Sequence, residues 1–441
     1  MLWKKISTFC ILILLLTTVG VSQQYMSLRQ LVDRALEENY QLQIVRNQEQ
    51  MAANNNTLGN AGFLPGINIR ADQIWGIQNT EQQFFNGESR SGDNARSSRQ
   101  DAVIELDWTI FDGFSMFAQR QKLIALQQLG EVDTRYFVEQ TVSDLAVFYY
   151  QLVKEQQVLE SLQKSLQISA FRLRLEEQTR SIGTGNALFY HQALIDYNAD
   201  SILVNHREMI IRELQLQISR MINLPLDEVV TPDVSDFDLN GLEDQQSLLQ
   251  KALESNSQME TARLEELIAE SNLRIERAMR YPNISVFGNY AYSNQVNEVG
   301  FLESSTAYGG QFGIRVRFNL YSGGRQNTRI KNVLLEQENT QIAETDTRVL
   351  LETQLAMQRN RYEAFMQQVR MLQQSLDAAN RSLDIAKQQL ELGAISGFEF
   401  RQAQLTAIRV ENQLAELMFT LKSIEIDVAR ITGQLMNIAL S

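Results

Sequence analysis

Metal ligation, nucleophilic attack and general acid–base transfer each need particular side chains at short spacing, and this chain supplies few of them. His191 and His206 are the only histidines in 441 residues. They stand fifteen positions apart, with no cysteine and no closely spaced acid, so they do not make a zinc site. His191 is read as a solvent-facing side chain, on the outer surface or lining an interior. No phosphate-cradling glycine loop occurs, nor a nucleophile with a paired base. Glu265 and Glu266 are adjacent on a helical stretch and read as a solvated face. No catalytic, cofactor-binding or metal residue is assigned, no cofactor is expected, and an enzyme is not indicated. The features that remain are small residues interrupting long helical runs, "SIGTG" at 181–185 and "LGAISG" at 392–397, and charges set into alternating segments.

The only cysteine, Cys10, sits in an apolar run from Phe9 to Leu16 that follows Lys4 and Lys5 and fades into small residues before Gln23. That is the form of a cleaved signal peptide, residues 1–22, and the apolar part is short of the roughly 20 residues a spanning helix needs. The mature chain is expected to leave the cytoplasm without a disulfide or thiol nucleophile. Its formal net charge of −13 makes nucleic acid an unsuitable partner, because phosphates would be repelled.

The elements that must position the glycines and charges come in two copies. Leu31, Ala35, Leu36, Glu37, Asn39 and Pro65 recur 217 positions later as Leu248, Ala252, Leu253, Glu254, Asn256 and Pro282. Further along the spacing becomes 210, matching Gly113, Gly183, Gln192, Ala193 and Arg220 to Gly323, Gly393, Gln402, Ala403 and Arg430. The four prolines all fall outside 115–222 and 325–435, so helices of some 65 residues, about 100 Å, are permitted there. Val369, Leu372, Leu376, Ala379, Leu383, Ala386 and Leu390 step by three and four, a coiled-coil seam. Expected boundaries are a first repeat at 23–225, a linker at 226–241, a second repeat at 242–435 and a tail at 436–441. Each repeat opens with one helix, at about 27–60 and 242–280. Each holds a helical hairpin, 115–222 with its tip at 181–188, and 325–435 with its tip at 391–398. Gly183, Gly185, Gly393 and Gly397 supply permissive backbone at the tips, either as plain hairpin turns or also as docking surfaces for another backbone.

Before each hairpin the hydrophobic period changes from helical to alternating. Strands are expected at about 66–78, 101–112, 283–293 and 308–320, with the polar stretches 79–100 and 294–307 as outer loops. Ile67, Ile69, Trp75, Ile104, Leu106, Trp108, Ile284, Val286, Tyr290, Phe312, Ile314, Val316 and Phe318 fall on one face. Arg70, Asp72, Glu105, Asp107, Arg315 and Arg317 fall on the other. In water the apolar faces would pack on helices or a second sheet; in lipid they would face acyl chains around a wet interior. The number of inner charges favours lipid, since a sandwich core would not hold them. Four strands cannot close a barrel, and an open edge in hydrocarbon costs several kcal/mol per unpaired backbone group, so several copies must contribute. Dimer, trimer and tetramer all satisfy that argument.

The whole mature chain resembles the TolC-like outer membrane efflux duct family. The likeness lies in the duplicated order of helix, two strands and helical hairpin, in the turns "FDGF" at 111–114 and "YSGG" at 321–324, and in the tips at Ile182–Gly183 and Leu392–Gly393. The resemblance implies a mainly α fold with a membrane β-barrel. Three copies would build twelve strands in the outer membrane of a Gram-negative bacterium and a helical tunnel in the periplasm. It implies a passive exit duct for small molecules, docked to a periplasmic adaptor and an inner membrane pump through Ile182, Gly183, Thr184, Gly185, Leu392, Gly393, Ala394 and Gly397. A protein-secretion duct is the alternative within this class, and a surface coiled-coil stalk the alternative outside it. The family's tunnel-narrowing carboxylates map onto Glu399 and Gln402, so one acid is retained and one is an amide; Glu399 either rings the tunnel or is a solvated helix-start charge. The family's acid after the first tip is replaced by Phe189, and its arginine after the second tip by Ile395. That departure points to an apolar constriction from Phe189, Phe398 or Phe400.

Overall fold

The computed structural model describes residues 23–226 and 228–436, so the expected signal peptide and all of the tail beyond 436 lie outside the described residues. The chain runs β1 (Gln23–Met26), α1 (Leu28–Glu38), α2 (Tyr40–Asn55), β2 (Gly66–Gln83), β3 (Ser89–Phe111), α3 (Ser115–Ser181) and α4 (Ala187–Met221). It continues with β4 (Val229–Pro232), α5 (Gln245–Ser255), α6 (Ser257–Ala278), β5 (Asn283–Asn297), β6 (Ser304–Arg317), α7 (Arg325–Glu391) and α8 (Gly397–Ile431). Two compact units result. One takes the described residues of Met1–Arg46, Asp133–Glu260 and Thr347–Ser441, the other Asn47–Val132 and Thr261–Asp346.

The first unit is helical, with a two-stranded parallel sheet of β1 and β4 that the alternation did not announce. Its core repeats the duplication: Leu31 and Leu248, Ala35 and Ala252, Leu145 and Leu355, and Ile211 and Leu421 are all buried. Along α7 the covered positions are those of the predicted seam, with Val369, Ala379 and Ala386 buried and the intervening leucines half-buried.

The helices expected at 27–60 and 242–280 are each two helices, broken at Asn39 and Asn256. At both breaks the asparagine is extended, with ψ 120° and 127°. Each Oδ1 accepts two backbone N–H groups of the following helix, at 2.9 and 3.2 Å. Each Nδ2 donates across the unit at 2.9 Å, from Asn39 to the Met221 carbonyl and from Asn256 to the Ile431 carbonyl, at the ends of α4 and α8. One side chain thus caps a helix and ties off the end of another. Asn256→Ala is expected to cost about 2–3 kcal/mol, the sum of a lost cap and an unpaired carbonyl. Thermal unfolding of the purified protein measures it, and Asn256→Asp, which keeps the cap and loses the donor, recovers part of it.

The second unit carries a four-stranded antiparallel sheet in the order β2-β3-β5-β6. The strands are longer than the alternation suggests at one end, since the segments 79–100 and 294–307 are mostly strand, with connections at 84–88 and 298–303. Residues such as Gln78, Thr80, Ser91 and Ser98 are polar on both faces, which erases the period while leaving the backbone ladder intact. At the other end β6 stops at Arg317, three residues before Leu320. The turn after β3 requires Gly113, whose φ is +71° and where a Cβ would meet the Ala278 carbonyl oxygen at 2.4 Å. At the matching turn after β6, a Cβ added at Gly323 or Gly324 would meet nothing within 4 Å.

Candidate functional site

The sheet separates wet from greasy. Ile67, Ile69, Trp75, Ile104, Trp108, Tyr290, Phe312, Ile314, Val316 and Phe318 are exposed on one side, reaching 76% for Trp75 and 93% for Phe312, while Leu106, Ile284 and Val286 are half-buried. The Trp108 indole donates to the Phe63 carbonyl at 2.9 Å, placing an amphipathic ring at the foot of the sheet. On the opposite side the charges pair both along and across the strands. Arg70 reaches Asp72 at 3.2 Å and Glu105 at 3.5 Å, Arg99 reaches Asp101 at 2.7 Å, and Arg315 reaches Asp107 at 3.3 Å. These pairs are exposed, so each contributes little stability; their effect is to make this side hydrophilic. No helix among the described residues is long and apolar enough to cross a membrane, a statement about helices alone.

The tips are built alike. At the end of α3, Gly183 takes φ +80°, its N–H bonds to the Arg180 carbonyl and the Thr184 N–H returns to Thr179, a left-handed helix stop. At the end of α7, Gly393 takes φ +70° with the matching bonds to Leu390 and, from Ala394, to Gln389. Asn186 caps α4 and Ser396 caps α8. The other two glycines act differently. A Cβ at Gly185 would lie 2.5 Å from the Arg180 backbone nitrogen, and one at Gly397 would lie 3.1 Å from the Arg172 guanidinium. The tips leave Ile182 and Leu392 projecting at 73% and 82% exposure.

Glu399 closes a capping box, its carboxylate accepting from the Ser396 N–H at 2.8 Å and hydroxyl at 2.9 Å. Those hydrogen bonds hold its carboxyl below the usual carboxylate range, so it stays ionised at the helix start. Gln402 is exposed beside it, as are Phe189 and Phe398. Phe400 is corrected: at 2% exposure it packs inside the protomer, on the same stripe of α8 as Gln404 and Ala407, and cannot line a tunnel.

One cluster escaped the sequence reading. Arg401 grips the buried Asp200 with both Nη atoms, at 2.7 and 2.8 Å, joining α8 to α4. Ser165 donates to Asp200 at 3.1 Å, Ser169 also donates to it, and Arg172 pairs with Asp196 at 3.0 Å. The signal was present in Ser161, Ser165 and Ser169, buried hydroxyls every fourth residue along a helix otherwise packed through leucines. Among the described residues no group of three or more His, Cys, Asp or Glu side chains could hold a metal ion.

The outer membrane efflux protein profile matches residues 31–208 and 248–434, both repeats. The chain belongs to that family. This outer membrane efflux protein shares its fold with the outer-membrane channel OprN, at 18% identity and a TM-score of 0.75 over 95% of each chain. A membrane protein from Pseudomonas aeruginosa aligns at 16% identity and 0.76, over 92% of this chain and 90% of that one. VceC from Vibrio cholerae aligns at 14% and 0.72, over 92% of this chain and 96% of that one. No curated protein sequence matches the chain. As a member of this family the chain is an outer membrane efflux protein, and a free surface stalk is set aside.

Proposed function

We propose that three copies of the chain close a twelve-stranded barrel and a continuous helical tunnel, and that the duct passively carries small molecules delivered by an inner membrane pump through a periplasmic adaptor. The chain performs no catalytic step. The observation that carries this reading is the sheet, whose two faces differ in wetting and whose two edge strands are unpaired. In lipid such edges are untenable, and closure with further copies is the only way to satisfy them. The fold shared with OprN supports the same arrangement.

The tips supply the docking surface, with Ile182 and Leu392 as apolar anchors held at fixed attitude by Gly183, Thr184, Gly185, Gly393, Ala394 and Gly397. Glu399 and Gln402 face the tunnel mouth as a fixed negative charge and a neutral amide, and Phe189 and Phe398 supply its apolar narrowing. Replacing both Ile182 and Leu392 by Asp is expected to lower adaptor affinity by an order of magnitude or more, since buried apolar anchors carry most of an interface's energy. The readout is export from cells lacking the native gene, alongside the heat-sensitive oligomer on a gel. Lost export with an intact oligomer supports docking through the tips, whereas unchanged export refutes it.

A further inference from the structure

The duplication repeats the strands but reverses their charge at one end. At the foot of the sheet, Glu105, Asp107 and Asp112 of the first repeat stand 210 positions before Arg315, Arg317 and Ser322, and Ser115 and Gln119 stand as far before Arg325 and Arg329. Three acids in one repeat thus answer to four arginines in the other, in a chain whose formal net charge is −13. There the wet side of the sheet and the start of α7 form a cavity of about 700 Å³, lined by Arg315, Arg317 and Arg329 together with Asp107, Asp112 and Gln326. Its whole lining belongs to the second compact unit.

The charges of this cavity are unevenly satisfied. Arg315 is held by Asp107 at 3.3 Å and lies over the Phe287 ring, 4.6 Å from its centre. Arg317, which faces Asn283 across the strands, and Arg329 have neither an ion pair nor a hydrogen bond among the described residues. Stability does not account for such placement. Arg325 opens α7 and Arg329 follows one turn later, with no acid in the first turn to offset them, at the helix end where the dipole disfavours cations. Two unpaired guanidinium groups lining one cavity repel each other, and an anion between them relieves the repulsion. Each presents parallel N–H donors that fit the two oxygens of a carboxylate, phosphate or sulfonate. Asp112 supplies the complement. Its Oδ1 is buried and accepts no hydrogen bond, which suits a ligand bearing a hydroxyl or amine donor beside its anionic group. We infer that this cavity binds small organic anions of that kind, with Arg317 and Arg329 holding the anionic group. The inference rests on the duct reading above, in which this wall faces the passage, and names the class of solute the wall would hold.

The test titrates pyranine, a fluorescent pyrene with three sulfonates and one hydroxyl, with the full-length protein purified in a nonionic detergent. Physiological ionic strength screens charges more than about 8 Å away. Fluorescence anisotropy is expected to rise saturably with the wild-type protein. Arg317→Gln with Arg329→Gln should weaken the apparent affinity tenfold or more. Should that double variant unfold early in a thermal scan, Arg317→Gln and Arg329→Gln are each expected to weaken it threefold or more. Arg90→Gln with Arg99→Gln removes the same charge from β3, where Arg99 lies eight residues from Asp107, roughly 26 Å along the strand, and should leave the affinity unchanged. No saturable binding by the wild type, unchanged affinity in the Arg317 and Arg329 variants, or an equal loss in the Arg90 and Arg99 variant overturns the site. A heat-sensitive oligomer that binds no pyranine sinks the site alone and leaves the duct standing. Saturable binding by protein that an amine-reactive reagent leaves monomeric keeps the site, whose lining comes from one chain, and sinks the three-copy duct.

Discussion

Ile314→Arg is expected to abolish the outer membrane oligomer. Ile314 is 71% exposed on the outward face of β6, between Val316 and Phe312 in the middle of the apolar run. An arginine on the lipid face of a barrel near the bilayer midplane costs roughly 2–4 kcal/mol, and three copies bring that to about 6–12 kcal/mol per assembly. Few oligomers would survive a loss of that size, because net stabilities are themselves of this order. Outer membrane fractions from cells producing the variant should lack the heat-sensitive oligomer band, and export should fall to the level of cells without the gene. Gln311→Arg on the same strand provides the comparison. Its side chain belongs to the wet face, so the oligomer should form and only conduction should change. Normal assembly of the Ile314 variant would mean that this face does not meet lipid.

Asp200→Ala carries the second largest effect. Arg401 and Asp200 are nearly buried, with side-chain exposures of 11% and 3%, and they bond through two parallel contacts. Removing the acid leaves a buried guanidinium without compensation, a loss of about 3–5 kcal/mol. Thermal unfolding in detergent, at fixed protein concentration, should show a fall of several degrees. Replacing both partners, Asp200→Leu with Arg401→Met, should restore much of it, because no charge is then stranded. The pH dependence follows from the carboxyl. Burial pushes Asp200 up, but the hydrogen bonds from Arg401 and Ser169 and the charge of Arg401 outweigh burial and hold it below its ordinary value. A depressed folded value means that the stabilisation is complete above the unfolded carboxyl's pKa, about 3.9, and disappears as pH falls through the lower folded one. The gap between wild type and Asp200→Ala should therefore be constant from neutral to mildly acidic pH and close only in strong acid.

How much of this was legible depends on which physical signal each residue left in the order of amino acids. Long helices without proline, the coiled-coil stripe through Val369, Ala379 and Ala386, and the two-sided strands were visible because burial repeats at a fixed period. The breaks at Asn39 and Asn256 were hidden by helix-forming neighbours on both sides, and only the partners across the unit, the Met221 and Ile431 carbonyls, give those asparagines their role. The far ends of β2 and β3 were missed because hydrogen bonds between backbones need no alternation of side chains. Phe400 and Phe398 differ by two positions and were treated alike, yet the helix turns one inward and the other out. The Asp200 and Arg401 pair joins residues 201 apart in sequence, beyond what spacing reveals.

The bare turn at Gly323 and Gly324 bears on how the protein matures. Its twin at Gly113 packs on Ala278 and Tyr281 of the same chain, whereas a Cβ at Gly323 or Gly324 would meet nothing within 4 Å; on the three-copy reading proposed above, a neighbouring molecule covers this turn. If three copies assemble as proposed, completing the native state takes successive encounters between chains, and its rate depends on how many newly exported chains share the same compartment. Sparse production would then leave each newcomer waiting with a greasy ribbon uncovered, the state in which chaperones and proteases compete for it.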